Sequence, residues 1–316
     1  MNTSDIVKMC FLIIFLLVVM VPTLYGIMRA KRDTKKRYNH MLCNLKDEIQ
    51  SYKTIIKNDS ELIELRKKVN KVFVKNVDLE LYKSTLVKKI LNNYDSSLIY
   101  DINLGINEND YRLAGFKDSN SYQFYSSRKS SLKGNSIIAS GRLNDSLEVY
   151  ISDNAVRGKI SDKDYIIANV ALFNKRDNAR NINFNGPVAI LDLNKNVDFN
   201  LSVIDNRLKI NDDNYVEIDN PSFEQYYDVF TTDKVKTMQL LTPSLTTKIL
   251  DLLKKYNFYF EIKIIHNKIY LRFYTDEFLC FNLRKIEDQA INLVMNINII
   301  NGIKDIFSEL LKEIER

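Results

Sequence analysis

Apolar and polar positions divide the chain into three parts, of which the first is the most distinct. Residues 9–28 carry no charge, and twelve of these twenty residues are Leu, Ile, Phe or Val. A helix of this length rises about 30 Å, the thickness of the hydrocarbon core of a bilayer. The twelve side chains favour insertion by about 4 to 7 kcal/mol. The pattern therefore predicts one transmembrane helix, with residues 1–28 as the anchor.

A cleavable signal peptide is the alternative interpretation of the same run. No small-residue cleavage site follows it, and the strong basic cluster lies after the apolar core instead of before it. Both observations favour a retained anchor.

The second part, residues 29–95, has helical spacing of its apolar positions. Steps of four and three alternate along the first run, which comprises Tyr38, Leu42, Leu45, Ile49, Tyr52 and Ile56. Ser60 is predicted to cap a second helix, and a third helical run covers residues 79–94. This region has two interpretations: a coiled-coil stalk that joins protomers, or helices that pack on the protein's own domain.

The third part reads as a β-rich domain. After Tyr94, short β-branched and aromatic stretches are separated by Asn, Asp, Ser and Gly, which is typical of strands and turns. We place a domain boundary near residue 95 and predict an α+β domain with a mixed, mainly antiparallel sheet over residues 96–316. Segment 175–185 lacks apolar residues at core spacing and is predicted to be a mobile loop. The predicted strands are 136–140, 147–151, 165–173 and 188–193, with two more within 199–218.

Helix signals are clearest in the last third of the chain. Thr242-Pro243-Ser244 predicts a helix start, because the missing N–H of proline costs nothing in the first turn. We expect this helix to end at Tyr256. An amphipathic helix is predicted to close the chain over about residues 284–315.

A β-hairpin is predicted between these two helices. Alternating runs at residues 258–265 and 268–274 flank His266-Asn267, a two-residue connection in which Asn accepts a positive φ. The alternation places Glu261 and Lys263 on the face opposite to that of Phe260, Ile262 and Ile264.

The charge distribution predicts an orientation. The nine residues from Arg29 to Arg37 contain six cations and one acid, whereas Lys8 is the only cation before the apolar run. Cationic flanks stay on the cytoplasmic side, so we expect the N terminus outside and the C-terminal domain in the cytosol. The same segment has a composition that binds anionic lipid head groups, although topology alone also requires such a flank.

Other partners and cofactors are not predicted. The net charge of +6 is concentrated in the juxtamembrane segment, and no basic stripe interleaved with exposed aromatics is present, so nucleic-acid binding is not expected. Cys10, Cys43 and Cys280 are too widely spaced for a metal site or a disulfide framework.

Sequence motifs for catalysis are missing. The chain contains no phosphate-binding glycine loop, no dinucleotide fingerprint, no H-E-x-x-H, no C-x-x-C and no G-x-S-x-G. His40 lies in the helical region and His266 in the predicted turn, so neither is a good general base. We assign no catalytic, cofactor-binding or metal-binding residue.

Carboxylates and aromatic residues are the remaining candidates for a catalytic or binding site. Asp228 with Asp233, or Asp276 with Glu277, would suit acid-base chemistry or a cation. The simpler interpretation is that Asp233 caps a helix that begins at Lys234, and that Thr242 caps the next one. The aromatic cluster of residues 223–230 suits either the core of a sheet or a ligand cleft.

Residues 223–274 resemble the core signature of the DUF3137 family of bacterial membrane proteins of unknown function. The similarity lies in an aromatic opening, FEQYYDVF, then Asp233, then QLLTPS leading into a helix, and a hairpin that ends in K-I-Y. Weaker similarity at 184–197 and 126–134 extends the match to about residues 100–310. The resemblance implies a fold and a membrane location, without an activity.

Three features depart from this family's pattern. The acid expected before Gly134 is replaced by Arg128 or Lys129, and the aromatic-Glu-Pro element expected after the hairpin is replaced by residues 278–283. Family members also carry two adjacent hydrophobic segments near the N terminus, where this chain has one.

Two functional hypotheses remain. The first is a single-pass membrane protein whose cytoplasmic domain acts as a binding or scaffolding module, through self-association or another membrane protein. The alternative is an enzyme that acts on a lipid or lipid-linked substrate through a carboxylate such as Asp233 or Glu224.

Overall fold

A computed structural model describes residues 42–69, 76–116, 148–174, 181–208, 212–256, 259–274, 278–279 and 285–315. Contacts divide the chain into two compact units, Met1–Glu48 and Ile49–Arg316, so the helices before the predicted boundary at residue 95 lie mainly in the second unit. Residues 9–28, residues 29–37 and the predicted strand 136–140 are outside the described part. Among the helices that are described, none combines the length and the apolar character needed to cross a membrane.

The described chain contains eight helices and eight strands. The helices are α1 (Lys46–Asn58), α2 (Ser60–Val69), α3 (Asn76–Tyr94), α4 (Glu108–Leu113), α5 (Pro221–Glu224), α6 (Lys234–Leu240), α7 (Pro243–Tyr256) and α8 (Ile286–Ile314). The strands are β1 (Ile99–Asp101), β2 (Glu148–Ile160), β3 (Lys163–Asn174), β4 (Asn181–Asp192), β5 (Leu201–Asp205), β6 (Tyr227–Thr231), β7 (Tyr259–Ile265) and β8 (Lys268–Tyr274).

All eight strands join in one antiparallel sheet, which confirms the α+β prediction. Their order is β1-β2-β3-β4-β8-β7-β5-β6. The hairpin β7–β8 therefore lies between the run β1–β4 on one side and the pair β5–β6 on the other. Its register pairs Glu261 with Arg272 and Lys263 with Tyr270.

Helices cover one face of the sheet, which we call the helix face. Phe307 of α8 contacts the ring of Tyr165 on β3 at 6.3 Å between centroids, and α8 also contacts α3, α6 and α7. On the hairpin, Phe260 and Phe273 point to this face and stack at 5.2 Å. The apolar half of the predicted alternation is thus confirmed as core.

The opposite face is crossed by residues 104–116, which we call the strap. The strap contains α4 and buries Ile106, Tyr111 and Phe116 against the sheet. Its backbone comes very close to β2, because a Cβ on Gly105 would clash with the carbonyl oxygen of Ser152. Neither β1 nor the strap was predicted from the sequence.

Helices α2 and α3 contact each other, and α3 packs on α8. The cap of α2 differs from the prediction: Asp59 Oδ1 accepts the N–H of Leu62 at 2.9 Å, so Ser60 is the first helical residue and not the cap. The other oxygen of the same carboxylate binds Lys89 of α3 at 2.7 Å. The side chain of Asp59 thus caps α2 and also connects it to α3.

Three other predictions need correction. β4 begins at Asn181, so residues 181–185 are strand and not part of a mobile loop, since they pair with β3. The described part of segment 199–218, which omits residues 209–211, contains one strand and a short 3-10 turn, with a single bridge at Tyr215. In the hairpin turn the positive φ, 55°, belongs to His266.

Candidate functional site

The signature segment holds its polar side chains in structural hydrogen bonds. Asp233 Oδ1 accepts the N–H of Lys236 at 3.1 Å and so caps α6. Thr242 Oγ1 accepts the N–H of Leu245 at 3.3 Å and caps α7. Both predicted caps are confirmed, and the carboxylate of the enzyme hypothesis is used to begin a helix.

Other polar side chains in this segment and next to it also form structural hydrogen bonds. Thr231 is buried, donates to the carbonyl of Asn200 at 2.9 Å and accepts from the hydroxyl of Thr237 at 2.7 Å. Glu224 Oε1 accepts the N–H of Ile218 at 2.7 Å. Asn220 caps α5 through the N–H of Phe223 at 3.2 Å. The polar residues therefore follow a seam between β6 and the helices.

A cavity of about 300 Å³ opens beside this seam. Its acidic lining consists of Glu217, Asp219 and Glu224, with Lys234 as the one lysine among the lining residues. Ile218, Pro221 and Met238 complete it. A lining with three acids and one lysine suits contact with a positively charged group.

Asp228 is the carboxylate with the most perturbed environment near the cavity. Burial raises the pKa of Asp228, and the negative charges of Asp205 and Glu224 raise it further. Asp205 itself is buried and holds Arg207, whose Nε lies 2.9 Å from Asp205 Oδ1. The guanidinium of Arg207 in turn covers the ring of Tyr259 at 3.4 Å.

A second polar cluster lies on the sheet under the strap, where three charged residues are buried. Glu261, Lys263 and Arg272, the charged trio, are 1%, 5% and 1% exposed. Alternation had placed Glu261 and Lys263 on this face, and the structure confirms that placement. Arg272 Nη2 contacts Glu261 Oε1 at 3.1 Å, and both groups bind the hydroxyl of Tyr274.

Aromatic rings surround the guanidinium of Arg272. Its Cζ lies 4.6 Å from the ring centroid of Phe116, 5.0 Å from that of Phe184 and 5.2 Å from that of Tyr274. Cations are attracted to ring faces at these distances. The three rings therefore enclose the guanidinium.

Burial also affects the neighbouring Tyr270, whose pKa it raises to about 12.

The strap binds the charged trio through polar contacts. Arg272 Nη1 donates to the hydroxyl of Tyr111 at 3.0 Å, and Lys263 Nζ donates to the carbonyl of Gly115. At the border of the cluster, Lys268 Nζ and Asp110 Oδ1 form an ion pair of 2.6 Å. Three cationic side chains of the hairpin thus bind the strap.

One oxygen of the charged trio is left unsatisfied. Glu261 Oε1 accepts from Arg272 and Tyr274, but among the described residues no donor reaches the buried Oε2. A buried acceptor without a donor costs about 1–3 kcal/mol. The unsatisfied oxygen of Glu261 therefore lowers the stability of the folded protein.

The described residues show no arrangement of a nucleophile with a base. They contain no group of three or more His, Cys, Asp or Glu side chains placed to hold a metal ion. His266 lies in the hairpin turn, as predicted, and Cys43 is an exposed free thiol. His40, Cys10, Cys280, Asp276 and Glu277 fall outside the described part.

The aromatic cluster of the signature is mostly core. Phe223 and Tyr227 are 0% and 1% exposed, and their rings lie 5.1 Å apart. Tyr227 continues the contact to Phe260 at 5.7 Å. Tyr226 remains half-buried. These rings fill the space between the sheet and the helices, which agrees with the sheet-core interpretation of the cluster.

An antiparallel sheet with helices on one face and a short strap on the other defines an α+β domain. The family model described as "Protein of unknown function (DUF3137)" matches residues 182–312. This match begins in β4 and ends in α8, so it includes the signature segment and the hairpin with its charged trio. The resemblance to DUF3137 is confirmed over these residues.

The chain was also compared with curated proteins and with solved structures. A search of curated proteins found no significant match. The crystal structure of the mycobacterial trehalose monomycolate transport factor A, TtfA, is similar over 72% of this chain and 96% of that chain, with 9% sequence identity and a TM-score of 0.33. A TM-score this low supports no argument.

Proposed function

We propose that the protein is a single-pass membrane-anchored binding or scaffolding module whose α+β domain lies in the bacterial cytosol. The anchor and the orientation rest on the apolar run 9–28 and the basic segment 29–37. The proposal that the domain binds instead of catalysing rests on one structural observation. The carboxylate of Asp233, the sharpest catalytic candidate, caps α6.

The cavity beside the signature segment is the proposed contact surface. Its acidic rim, Glu217 and Asp219, is exposed to solvent, and Ile218 and Met238 are among its apolar lining residues. Acidic groups beside apolar residues complement a segment that alternates cationic and apolar residues. The partner of this surface is therefore proposed to be a cationic segment of another protein at the membrane.

Charge reversal at the rim tests this proposal. The full chain, solubilised from membranes, is titrated with a short labelled peptide of alternating Lys and Leu. We expect Glu217→Lys with Asp219→Lys to weaken binding by about tenfold or more. The matched control is Asp251→Lys, which reverses an exposed acid on α7 away from the cavity lining. Equal weakening by the control would contradict the proposed surface.

A search for turnover tests the choice between the two hypotheses. Incubation of the full chain with lipid extracts should leave every lipid unchanged. Reproducible conversion of a lipid that Asp233→Asn abolishes would establish the enzyme instead.

Protease treatment of intact cells tests the orientation. We expect the domain to survive protease added from outside and to be digested only after the membrane is opened. Digestion in intact cells would reverse the proposed topology.

A further inference from the structure

We propose that the end of α2 and the beginning of α3 form a docking surface for an anionic membrane. The surface, which we call the basic tip, consists of Arg66, Lys67 and Lys68 of α2 with Val77 and Leu81 of α3. It adds to the proposed function a direct contact of the folded domain with lipid. None of these residues lines the cavity beside α6, so failure of the tip would leave the proposed partner surface untouched.

Two contacts between α2 and α3 place these residues at one end of the helix pair. Before the first residue of α2, Asp59 binds Lys89 of α3 at 2.7 Å. Further along α2, the positive charge of Arg66 reaches the hydroxyl of Tyr82, whose pKa is raised by burial and lowered by that charge. A contact further along α2 is thus matched by a contact further back along α3. The last turn of α2 therefore lies beside the first turns of α3.

Positive charge is concentrated at this tip. Lys67 and Lys68 are exposed, and neither forms an ion pair with another residue that the structure describes. Between Glu64 and Asp78 the sequence contains five Lys or Arg residues and no Asp or Glu. Over residues 64–81 these five cations still outnumber three acids. Clustered cations of this kind attract the head groups of an anionic leaflet.

An exposed apolar pair is the second observation. Val77 and Leu81 are 71% and 50% exposed and stand one turn apart on the same face of α3. The C-terminal end of any helix favours cations through its dipole, so the basic last turn of α2 alone would not indicate a partner. Apolar side chains on the surface beside such cations are the composition of segments that lie in the membrane interface.

A bilayer surface is the occupant that fits both parts of the basic tip. Its anionic head groups bind the lysines, and the region below the head groups takes up the apolar side chains. The inference rests on the proposed anchor only for the strength of this contact, because an anchored domain meets the bilayer at a high effective concentration. A small apolar pair is then sufficient for docking.

A single tryptophan can report the contact, because the chain contains none. The full chain with Val77→Trp is placed in nanodiscs of brominated phosphatidylcholine, with or without phosphatidylglycerol, and quenching of its fluorescence by the bromine atoms is measured. The matched control is Val235→Trp. Val235 is likewise the second residue of a helix, α6, and is 67% exposed.

The two tryptophan variants should differ when the nanodiscs contain phosphatidylglycerol. We expect Val77→Trp to be quenched and to emit at a shorter wavelength, whereas Val235→Trp should change little. High salt should reduce the quenching, because it screens the lysines from the lipid. Equal quenching of both variants, or of neither, would overturn the docking surface. A shift to shorter wavelength without quenching, growing with protein concentration, would show a second copy on the tip and would also overturn it.

Charge reversal separates docking from unspecific attraction. Lys67→Glu with Lys68→Glu should lower the ratio of docked to free domain about thirtyfold or more. The control, Lys88→Glu with Lys254→Glu, makes the same change of net charge at exposed positions outside the tip. It should change the ratio by about threefold at most. Equal losses in the two double variants would reduce the contact to net charge and overturn the tip.

Glu80→Gln keeps the test decisive if the reversed lysines impair folding. Glu80 is exposed beside Leu81, where its charge repels an anionic leaflet. Its removal should therefore raise the quenching of Val77→Trp by phosphatidylglycerol nanodiscs. Unchanged or weaker quenching in the folded Glu80→Gln variant would contradict docking through this face of α3.

The same variants separate this inference from the proposed anchor. A full chain that did not incorporate into nanodiscs would contradict the anchor, and Val77→Trp would then be titrated with preformed brominated vesicles that contain phosphatidylglycerol. Quenching by these vesicles would support the basic tip without the anchor. Its absence would overturn the basic tip as well.

Discussion

The hydroxyl of Tyr82 donates to Gln289 Oε1 at 2.9 Å, across 207 residues of sequence and in the fully buried contact of α3 with α8. A second ring of α3 makes an equivalent contact, since Tyr94 binds Asn301. Lys304 then meets Asp95 at 2.9 Å just beyond the end of α3. The helical region before residue 95 is thus fastened to the last helix at three points, so this part of it packs on the protein's own domain.

We predict that Tyr82→Phe lowers the free energy of unfolding by about 1–2 kcal/mol, because it removes a donor from a buried amide oxygen. Urea unfolding of the full chain in detergent measures the loss. The double variant Tyr82→Phe with Gln289→Leu should lose less stability than the sum of the two single variants, since both single variants remove the same hydrogen bond. Additive losses would show that the two side chains do not interact.

Asp233 should behave as a helix cap in mutagenesis. Asp233→Ala is expected to lower stability by about 0.5–2 kcal/mol, and Asp233→Asn by much less, because asparagine is an equally good cap. Thermal unfolding of the two variants side by side provides the comparison. If Asn destabilised as much as Ala, the negative charge of Asp233 would matter more than its hydrogen bond to Lys236.

Stability at acid pH should depend on Asp95. The hydroxyl of Ser97 and the ammonium of Lys304 lower the pKa of Asp95 from 3.8 to about 2. A carboxyl with a lowered pKa in the folded state stabilises above its unfolded pKa and loses that contribution as the pH falls through the folded value. Stability due to Asp95 is therefore present at pH 5 and lost progressively between pH 3.8 and about 2.

Unfolding midpoints measured from pH 5 down to pH 2 test this dependence. We expect Asp95→Asn to flatten the part of the curve that Asp95 contributes, whereas Asp251→Asn, at an exposed position on α7, should leave the curve unchanged. Because Asp95 is partly exposed, the difference should also shrink at high salt. Identical curves for wild type and Asp95→Asn would exclude the effect.

Removing one member of the buried pair of Glu261 and Arg272 should lower stability more than replacing both members. Arg272→Met leaves the carboxylate buried without its cation, and we expect a loss of about 3–5 kcal/mol. Arg272→Met with Glu261→Leu removes both charges, so the loss should be clearly smaller. Chemical denaturation of the three proteins measures the difference. A double variant less stable than Arg272→Met would contradict this account.

Local signals in the sequence were sufficient for several parts of the structure. The hairpin of β7 and β8 was predicted because alternation and the two-residue turn at His266-Asn267 both lie within one short segment. The caps at Asp233 and Thr242 are also local, since each side chain binds an amide three residues ahead. The extent of α8, Ile286–Ile314, likewise agrees closely with the apolar pattern.

Contacts between distant parts of the chain could not be predicted in this way. The alternation placed Glu261 and Lys263 on one face, but their burial depends on a strap whose Tyr111 is 161 residues from Arg272. The ion pair of Asp59 with Lys89 likewise joins residues that are 30 positions apart. The early start of β4 at Asn181 follows from pairing with β3, which overrides the polar composition of that segment.

The position of the hairpin in the sheet has a consequence for synthesis on the ribosome. Strands β1 to β4 and strands β5 and β6 have no pairing with each other, and β7 and β8 are the strands that join them. Until residues 259–274 are in place, the two parts of the sheet therefore have open edges. Such edges invite pairing with other chains, so completion of the sheet depends on the rapid arrival of residues 259–274.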